Sequence, residues 1–230
     1  MAIRVREVSV PAAEDAVLDG NLSIPDGADA IVLFAHGAGS SRFSPRNQYV
    51  ASVLLRAGLA TLLIDLLTPE EEEAELLTRH LRFNIELLAD RLVGVTQWLN
   101  HEPSTQRLAL GYFGASTGAA AALVAAAREP DRVGAIVSRG GRPDLAGDAL
   151  PRVRAPTLLI VGGADIVVLE LNREAFERLQ TEKRLEIIPG ATHLFEEPGA
   201  LERVAELATR WFVDHLTALD RRTEEAGRWT

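Results

Sequence analysis

Residues 107–128 constrain the fold of this 230-residue chain more than any other stretch. Arg107-Leu108-Ala109-Leu110-Gly111-Tyr112-Phe113 is a short apolar run with the length of a buried strand. Ala119 to Arg128 is rich in Ala and Leu, the best helix formers. Between them lies Gly114-Ala115-Ser116-Thr117-Gly118. This order predicts a strand, a tight turn and a helix, with Ser116 lifted clear of the strand end in a strained conformation. Such a turn draws together the backbone two residues before and two residues after the serine. Only small side chains fit there, and Gly114 and Gly118 supply them. The helix N-terminus then faces the serine, where its dipole favours negative charge.

The rest of the chain alternates in the same way. Residues 3–10 and 16–24 read as two antiparallel strands, with Asp19-Gly20 marking a turn or bulge between or within them and Pro25-Asp26-Gly27 a turn after them. Ala30 to Ala35 is a continuous apolar run, as expected of a strand buried on both faces. Ser44-Pro45 fits a helix start, with a helix to about Arg56. Strands are expected at 59–66, 107–113, 133–137, 156–161 and 185–188. Helices are expected at 83–100, 116–128, 170–180 and 198–216. In the first of these, Phe83, Leu87, Leu88, Leu92, Val95 and Leu99 share a face. Residues 140–155 read as a Gly/Pro/Arg loop and 219–230 as a polar tail. Buried apolar strands alternating with helices predict an α/β fold, a mostly parallel sheet covered by helices on both faces.

Composition narrows the function. At this length, one α/β domain spanning 1–230 is expected to form a single core. A net charge of −9 argues against a nucleic-acid surface and gives no reason to expect binding to anionic membranes. There is no cysteine, which excludes disulfides, thiolate metal ligands and a thiol nucleophile. That fits a reducing, cytoplasmic setting. The first seven residues alternate apolar and charged side chains without the apolar core of a signal peptide. Ala119 to Ala127, the longest run of small apolar residues, is too short to span a bilayer.

A serine hydroxyl is a poor nucleophile at neutral pH and needs a base, which in turn needs an orienting carboxylate. Turns of this kind take those partners in the chain order serine, acid, histidine. Only His193 and His215 follow Ser116. His215 falls inside the closing helix beside Trp211 and Phe212. His193 ends Pro189-Gly190-Ala191-Thr192-His193, a turn directly after a strand, where open α/β sheets build their sites. His193 is therefore the candidate base. Asp165, at the Gly-rich end of Leu158–Asp165, is the candidate acid, although an aspartate there also suits a helix cap. Asp144, in the loop after 133–137, is its rival. Glu196 and Glu197 read as acids of a first helical turn. An oxyanion also needs amide donors. Thr117, directly after the serine, is one candidate. Ala38, in His36-Gly37-Ala38-Gly39, is the other, with Gly39 as the alternative. His36 has no second ligand at metal-binding spacing and reads as a brace for that loop. Arg42, Arg46, Arg139 and Arg142 fall in loops at the expected rim, and Arg42, Arg139 and Arg142 are candidates for binding a charged substrate group.

Four motifs now stand in order, His36-Gly37-Ala38-Gly39-Ser40, Gly114-Ala115-Ser116-Thr117-Gly118, Gly162-Gly163-Ala164-Asp165 and Gly190-Ala191-Thr192-His193. Together they resemble the α/β-hydrolase superfamily, and in particular its compact dienelactone-hydrolase-like branch, over about residues 30–213. The resemblance implies a sheet of about eight strands, no large lid domain, and acyl-enzyme hydrolysis without a metal or cofactor. It gives Ser116 the role of nucleophile, His193 of base, Asp165 of acid, and Ala38 and Thr117 of oxyanion donors. True dienelactone hydrolases carry a cysteine where this chain has Ser116, which favours an ordinary carboxylic ester as substrate. Residues 68–82, with an acidic run at Glu70–Glu75 and with Leu76, Leu77 and Leu81, are the one candidate cover, too small for a long-chain lipase. The expected partner is a small, short-chain ester. A lactone or thioester hydrolase with the same triad, or a non-catalytic binding scaffold, remain alternatives.

Overall fold

The computed structural model describes residues 2–13, 16–78 and 80–217. The expected tail at 219–230 lies outside the described residues. Within them the strands are β1 (Ile3–Ala13), β2 (Ala16–Pro25), β3 (Ala30–Ala35), β4 (Ala60–Ile64), β5 (Ala109–Ala115), β6 (Val133–Arg139), β7 (Thr157–Gly162) and β8 (Lys183–Ile188). They form one sheet in the order β1-β2-β4-β3-β5-β6-β7-β8. The β1–β2 hairpin is antiparallel, β2 joins β4 antiparallel, and β3 to β8 run parallel. This is the eight-stranded, mostly parallel α/β-hydrolase sheet.

Alternation along the strands sends side chains to two cores. Ile31, Leu33 and Leu62 pack on one side, under α3 (Ile85–His101) and α4 (Thr117–Arg128). Val32, Phe34 and Phe113 pack on the other, under α1 (Pro45–Arg56) and α6 (Ala200–Phe212). Every residue of β3 is buried, so an uninterrupted apolar run was the right signature for it.

Helix starts follow local chemistry. Ser44 caps α1 by accepting the Asn47 amide proton, and Pro45 occupies the first helical position. Asn84 caps α3 by accepting the Leu87 amide proton at 3.1 Å. Phe83 therefore lies outside that helix, in a 3₁₀ turn over Leu81–Phe83, and is exposed rather than on the buried face. The acidic run forms α2 (Pro69–Thr78), opened by a capping box in which Thr68 and Glu71 each accept the other's amide proton. The stretch 140–155 is more ordered than a plain loop, with 3₁₀ turns over Pro143–Arg152 interrupted at Gly147. Helix α5 (Ile166–Arg178) starts before the expected residue 170, because the low helix propensity of Ile166, Val167 and Val168 hides its first turn. Helix α6 ends at Phe212 and passes into a π-helical turn over Val213–Thr217.

The chain steps from β3 to β4 through α1, then crosses back over β3 through α2 and α3 to β5 and continues outward on that side. The sheet therefore has its topological switch between β3 and β5, which are neighbours. A crevice outside the carboxyl ends of those two strands is where open α/β sheets bind ligands.

Candidate active site

Ser116 stands at the end of β5, one residue ahead of α4, with φ 51° and ψ −122°. A non-glycine residue at positive φ is strained, at a cost of roughly 1–3 kcal/mol. Its neighbours hold it there. The Ser116 amide donates to the Arg139 carbonyl at 3.3 Å, and its own carbonyl accepts from Arg142 at 3.0 Å. The glycines at either side have no room for a side chain. A Cβ on Gly114 would lie 2.4 Å from the Ala119 Cα, and one on Gly118 would lie 2.3 Å from the Ala35 carbonyl oxygen. This sharp turn is the one the spacing predicted.

Asp165 and His193 meet across the ends of β7 and β8. His193 Nδ1 lies 2.7 Å from Asp165 Oδ2, with the histidine side chain 39% exposed and the aspartate 16%. Asp165 occupies the N-cap position of α5, yet its side chain makes no capping bond. Its carboxylate turns to the histidine instead, so the competing role of helix cap does not apply. The rival Asp144 accepts two bonds from Arg142, at 2.9 and 2.8 Å. His215 is engaged elsewhere, stacked on Trp211 at 4.2 Å and bonded through Nε2 to Glu182 at 3.2 Å. With Nδ1 donating to a carboxylate, His193 keeps Nε2 as the basic nitrogen. Ser116 Oγ makes no hydrogen bond among the described residues. Such contacts often tighten only when substrate is bound.

The loop after β3 is the third part. A Cβ on Gly37 would stand 2.9 Å from Ser116 Cβ, so this loop lies directly against the serine. His36 is buried and neutral by circumstance. Its Nδ1 lies 2.9 Å from the Gly37 carbonyl, and its Nε2 accepts the Leu66 amide proton at 3.1 Å. Burial pushes its pKa below the usual value, more than the Gly37 bond and the charges of Asp65 and Glu72 raise it. His36 thus ties the loop to the segment after β4, the bracing role expected of it. The Ala38 amide, a candidate oxyanion donor, donates to Thr117 Oγ1 at 3.0 Å. The Thr117 amide belongs to the first turn of α4, where a helix has no acceptor of its own. Sequence reasoning missed the Thr117 hydroxyl, because its partner is 79 residues away.

The rim arginines separate into paired and unpaired. Arg42 binds Asp65 through its guanidinium and, at 2.6 Å, through its backbone amide. Arg142 is engaged by Asp144, and Arg46 reaches Glu196 at 3.5 Å. Arg139 is 7% exposed, and its guanidinium has no hydrogen bond or ion pair among the described residues. Burial, and after it the charge of Arg46, push its pKa down to about 10.

The cover over residues 68–82 is fastened from beneath by Glu75, the last residue of the acidic run at Glu70–Glu75. Glu75 is fully buried and accepts from Arg82 Nε at 2.7 Å and from the Leu81 amide at 2.6 Å. Burial raises its pKa, but those bonds outweigh it and hold the carboxyl below its usual range. A cleft of 590 Å³ opens between this cover and the loop after β3, lined by Gly39, Arg42, Phe43, Glu72 and Arg82 among others. Leu77, on the outer side of the cover, is exposed.

Comparison with known proteins matches residues 18–219 to the dienelactone hydrolase family. A dienelactone hydrolase from Anabaena variabilis has a crystal structure 66% identical to this chain, with a TM-score of 0.91, covering 93% of this chain and 99% of its own. Est1E from Butyrivibrio proteoclasticus, at 16% identity and a TM-score of 0.75, shares the fold over 90% of this chain and 98% of its own. Proteins of two Mycobacterium tuberculosis strains, provisionally named phosphoribosyl transferases, are each 60% identical over 214 residues. Those residues are 93% of this chain and 47% of the relatives, so the chain spans about half their length.

Proposed function

The chain belongs to the dienelactone hydrolase family of α/β hydrolases, and on that premise we propose that it is a serine hydrolase of short, water-soluble carboxylic esters. The observation that carries this reading is the bond between His193 and Asp165, set beside a serine held at positive φ. In the proposed reaction His193 Nε2 takes the Ser116 proton as Oγ attacks the ester carbonyl. The oxyanion receives the Thr117 amide and, as the Thr117 hydroxyl yields it, the Ala38 amide. His193 then gives its proton to the leaving alkoxide, which departs as an alcohol. It next takes a proton from water as the water oxygen attacks the acyl-enzyme, and it returns that proton to Ser116 Oγ as the C–O bond to the serine breaks and the acid is freed. Asp165 holds the imidazole and stabilises its protonated form. The small cover, rather than an apolar lid, favours short acyl chains.

A lactone presents the same carbonyl to the same serine, and the 66% identity to a dienelactone hydrolase favours it as a second reading. The transferase name is attached to proteins of twice this length, and we assign hydrolysis to the half that this chain matches. A panel of 4-nitrophenyl esters from acetate to laurate, run beside simple lactones, tests the proposal. Faster turnover of acetate and butyrate than of laurate is expected. Preference for the long chain contradicts the short-ester reading, and turnover of lactones alone replaces it with the second.

A further inference from the structure

We propose that Asn172 is a positioning residue for the reaction, holding the loop that supports Ser116 against the start of the helix that opens at Asp165. The role rests on the hydrolase reading above and adds what sets the serine against the His193–Asp165 pair.

Asn172 lies in α5, seven residues after Asp165, which is about two turns and places it on the same side of the helix. It is fully buried. Its Nδ2 group donates one proton to the Val168 carbonyl at 2.8 Å and the other to the Gly141 carbonyl at 2.9 Å. One amide is thus divided between the first turn of α5 and the loop after β6. Its Oδ1 is buried and has no hydrogen bond among the described residues. An amide oxygen left in that state is unfavourable, and an apolar side chain of similar size would avoid the cost. Stability alone therefore does not account for this side chain, whereas two carbonyls to be held do. Between α5 and residues 140–152, the other side-chain bond among the described residues is exposed, from Arg178 to Asp148 at 3.1 Å.

The loop that Asn172 holds touches both Ser116 and His193. The Arg142 amide donates to the Ser116 carbonyl at 3.0 Å, and the Arg139 carbonyl accepts from the Ser116 amide at 3.3 Å. Gly141 lies between those two supports. A Cβ there would stand 2.0 Å from Ser138 Oγ and 2.6 Å from the Ala119 Cβ, so the loop is wedged against α4 on that side. Gly140, at φ 50°, donates to the Ile160 carbonyl at 2.8 Å, and its Cβ position is 3.6 Å from His193 Cε1. At the other end of the tie, the Asp165 carbonyl accepts the Leu169 amide at 2.9 Å while its carboxylate takes His193 Nδ1. Ser116, His193 and Asp165 come from three separate turns, and the Asn172 amide joins the support of the first to the helix of the third. A displacement of about 1 Å between such groups costs roughly a hundredfold in rate. Asn172 is buried and reaches no substrate, so its loss acts on kcat rather than on KM.

The test measures 4-nitrophenyl acetate hydrolysis and the rate of fluorophosphonate labelling on wild type, Asn172→Leu and Asn172→Asp, with Thr105→Val as the control. Thr105 is buried ahead of the amino end of β5, away from Ser116, and its hydroxyl donates to the Leu99 carbonyl at 2.8 Å. Asn172→Leu should lower kcat per folded molecule at least about tenfold, keep KM within about twofold, and slow labelling in parallel. Asn172→Asp keeps the shape but turns a carboxylate on two carbonyls, and should lose at least as much. Thr105→Val should lower Tm and leave kcat unchanged. Wild-type kcat per folded molecule in both Asn172 variants, a loss through KM alone, or a loss that Thr105→Val shares overturns the positioning role and leaves the hydrolase standing. If neither Asn172→Leu nor Asn172→Asp folds by circular dichroism, Asn172→Ser, too short to reach Gly141, carries the test. Hydrogen exchange across residues 138–145 needs no turnover. Faster exchange there in the Asn172 variant than in Thr105→Val supports the tie even where wild type neither hydrolyses the ester nor labels, an outcome that contradicts the hydrolase reading alone. Equal exchange overturns the tie.

Discussion

The amide of Ala38 donates to the hydroxyl of Thr117 at 3.0 Å, so the residue after Ser116 holds the opposite wall of the proposed oxyanion site with its side chain. The tie joins the loop after β3 to the first turn of α4 across the switch in the sheet. Thr117→Ser keeps the hydroxyl and should stay within about twofold of wild type. Thr117→Val keeps the shape and removes the acceptor. The bond is released as the oxyanion forms, so its worth to the rate is in holding the Ala38 amide in place beforehand, and losing that positioning should cost about 1 kcal/mol, or roughly fivefold in kcat/KM. Steady-state kinetics on 4-nitrophenyl acetate measures both, and a Thr117→Val enzyme as fast as wild type removes the tie from the account.

Asp165 bonds to His193 and makes no side-chain capping bond to α5, and in the proposed reaction it orients the imidazole. Asp165→Asn should therefore lower kcat by roughly a thousandfold or more, because the amide favours the wrong imidazole tautomer. Its Tm should stay close to that of wild type. A large fall in Tm with little loss of rate per folded molecule would return Asp165 to a structural role.

His36 contributes to stability in a pH-dependent way. Its folded pKa lies below 6.5, chiefly because burial disfavours the charged ring. Below pH 6.5 the unfolded chain thus binds a proton that the folded chain refuses. The contribution is complete above pH 6.5 and is lost as pH falls from there through the lowered folded value. Tm measured from pH 8 to pH 5 should fall on the acid side, and less steeply in His36→Phe, whatever that variant's own Tm. Parallel curves for the two proteins would contradict this.

Glu75 fastens the cover over the cleft, and its carboxylate is matched by Arg82 and the Leu81 amide. Removing its charge leaves Arg82 without its counter-ion beside Gly39, whose Cβ position lies 3.1 Å from Arg82 Nη1. Glu75→Gln should lower Tm by several degrees and raise KM more than it lowers kcat. Limited proteolysis should cut first within 68–83. Cleavage elsewhere, with KM unchanged, would show that the cover does not depend on Glu75.

Much of the fold was legible, for stated reasons. Strands β3 and β7 are buried on both faces and read as apolar runs, whereas β6 reads so only to Val137, which left Arg139 in an expected loop although it ends the strand. Strand β8 is at the sheet edge and only its last residue, Ile188, is buried, so its first residues, Lys183 and Arg184, gave no strand signal. The sharp turn at Ser116 and the turn after β8 that carries His193 were legible from the glycines and the strands before them. The direction of the Asp165 carboxylate was not, since a cap and an orienting acid look alike in sequence. Ion pairing was hidden in the same way. Arg42 takes Asp65 from the end of β4, and Arg82 takes Glu75 from α2. Only the folded chain shows that Arg139, among four rim arginines read alike, is the one left without an acid among the described residues.

The central claim is that Ser116 is an activated nucleophile. Labelling wild type and Ser116→Ala with a fluorophosphonate, and weighing both intact, tests it most directly. The account predicts one adduct on wild type and none on the variant. No adduct on folded wild type, or an equal adduct on Ser116→Ala, would contradict it.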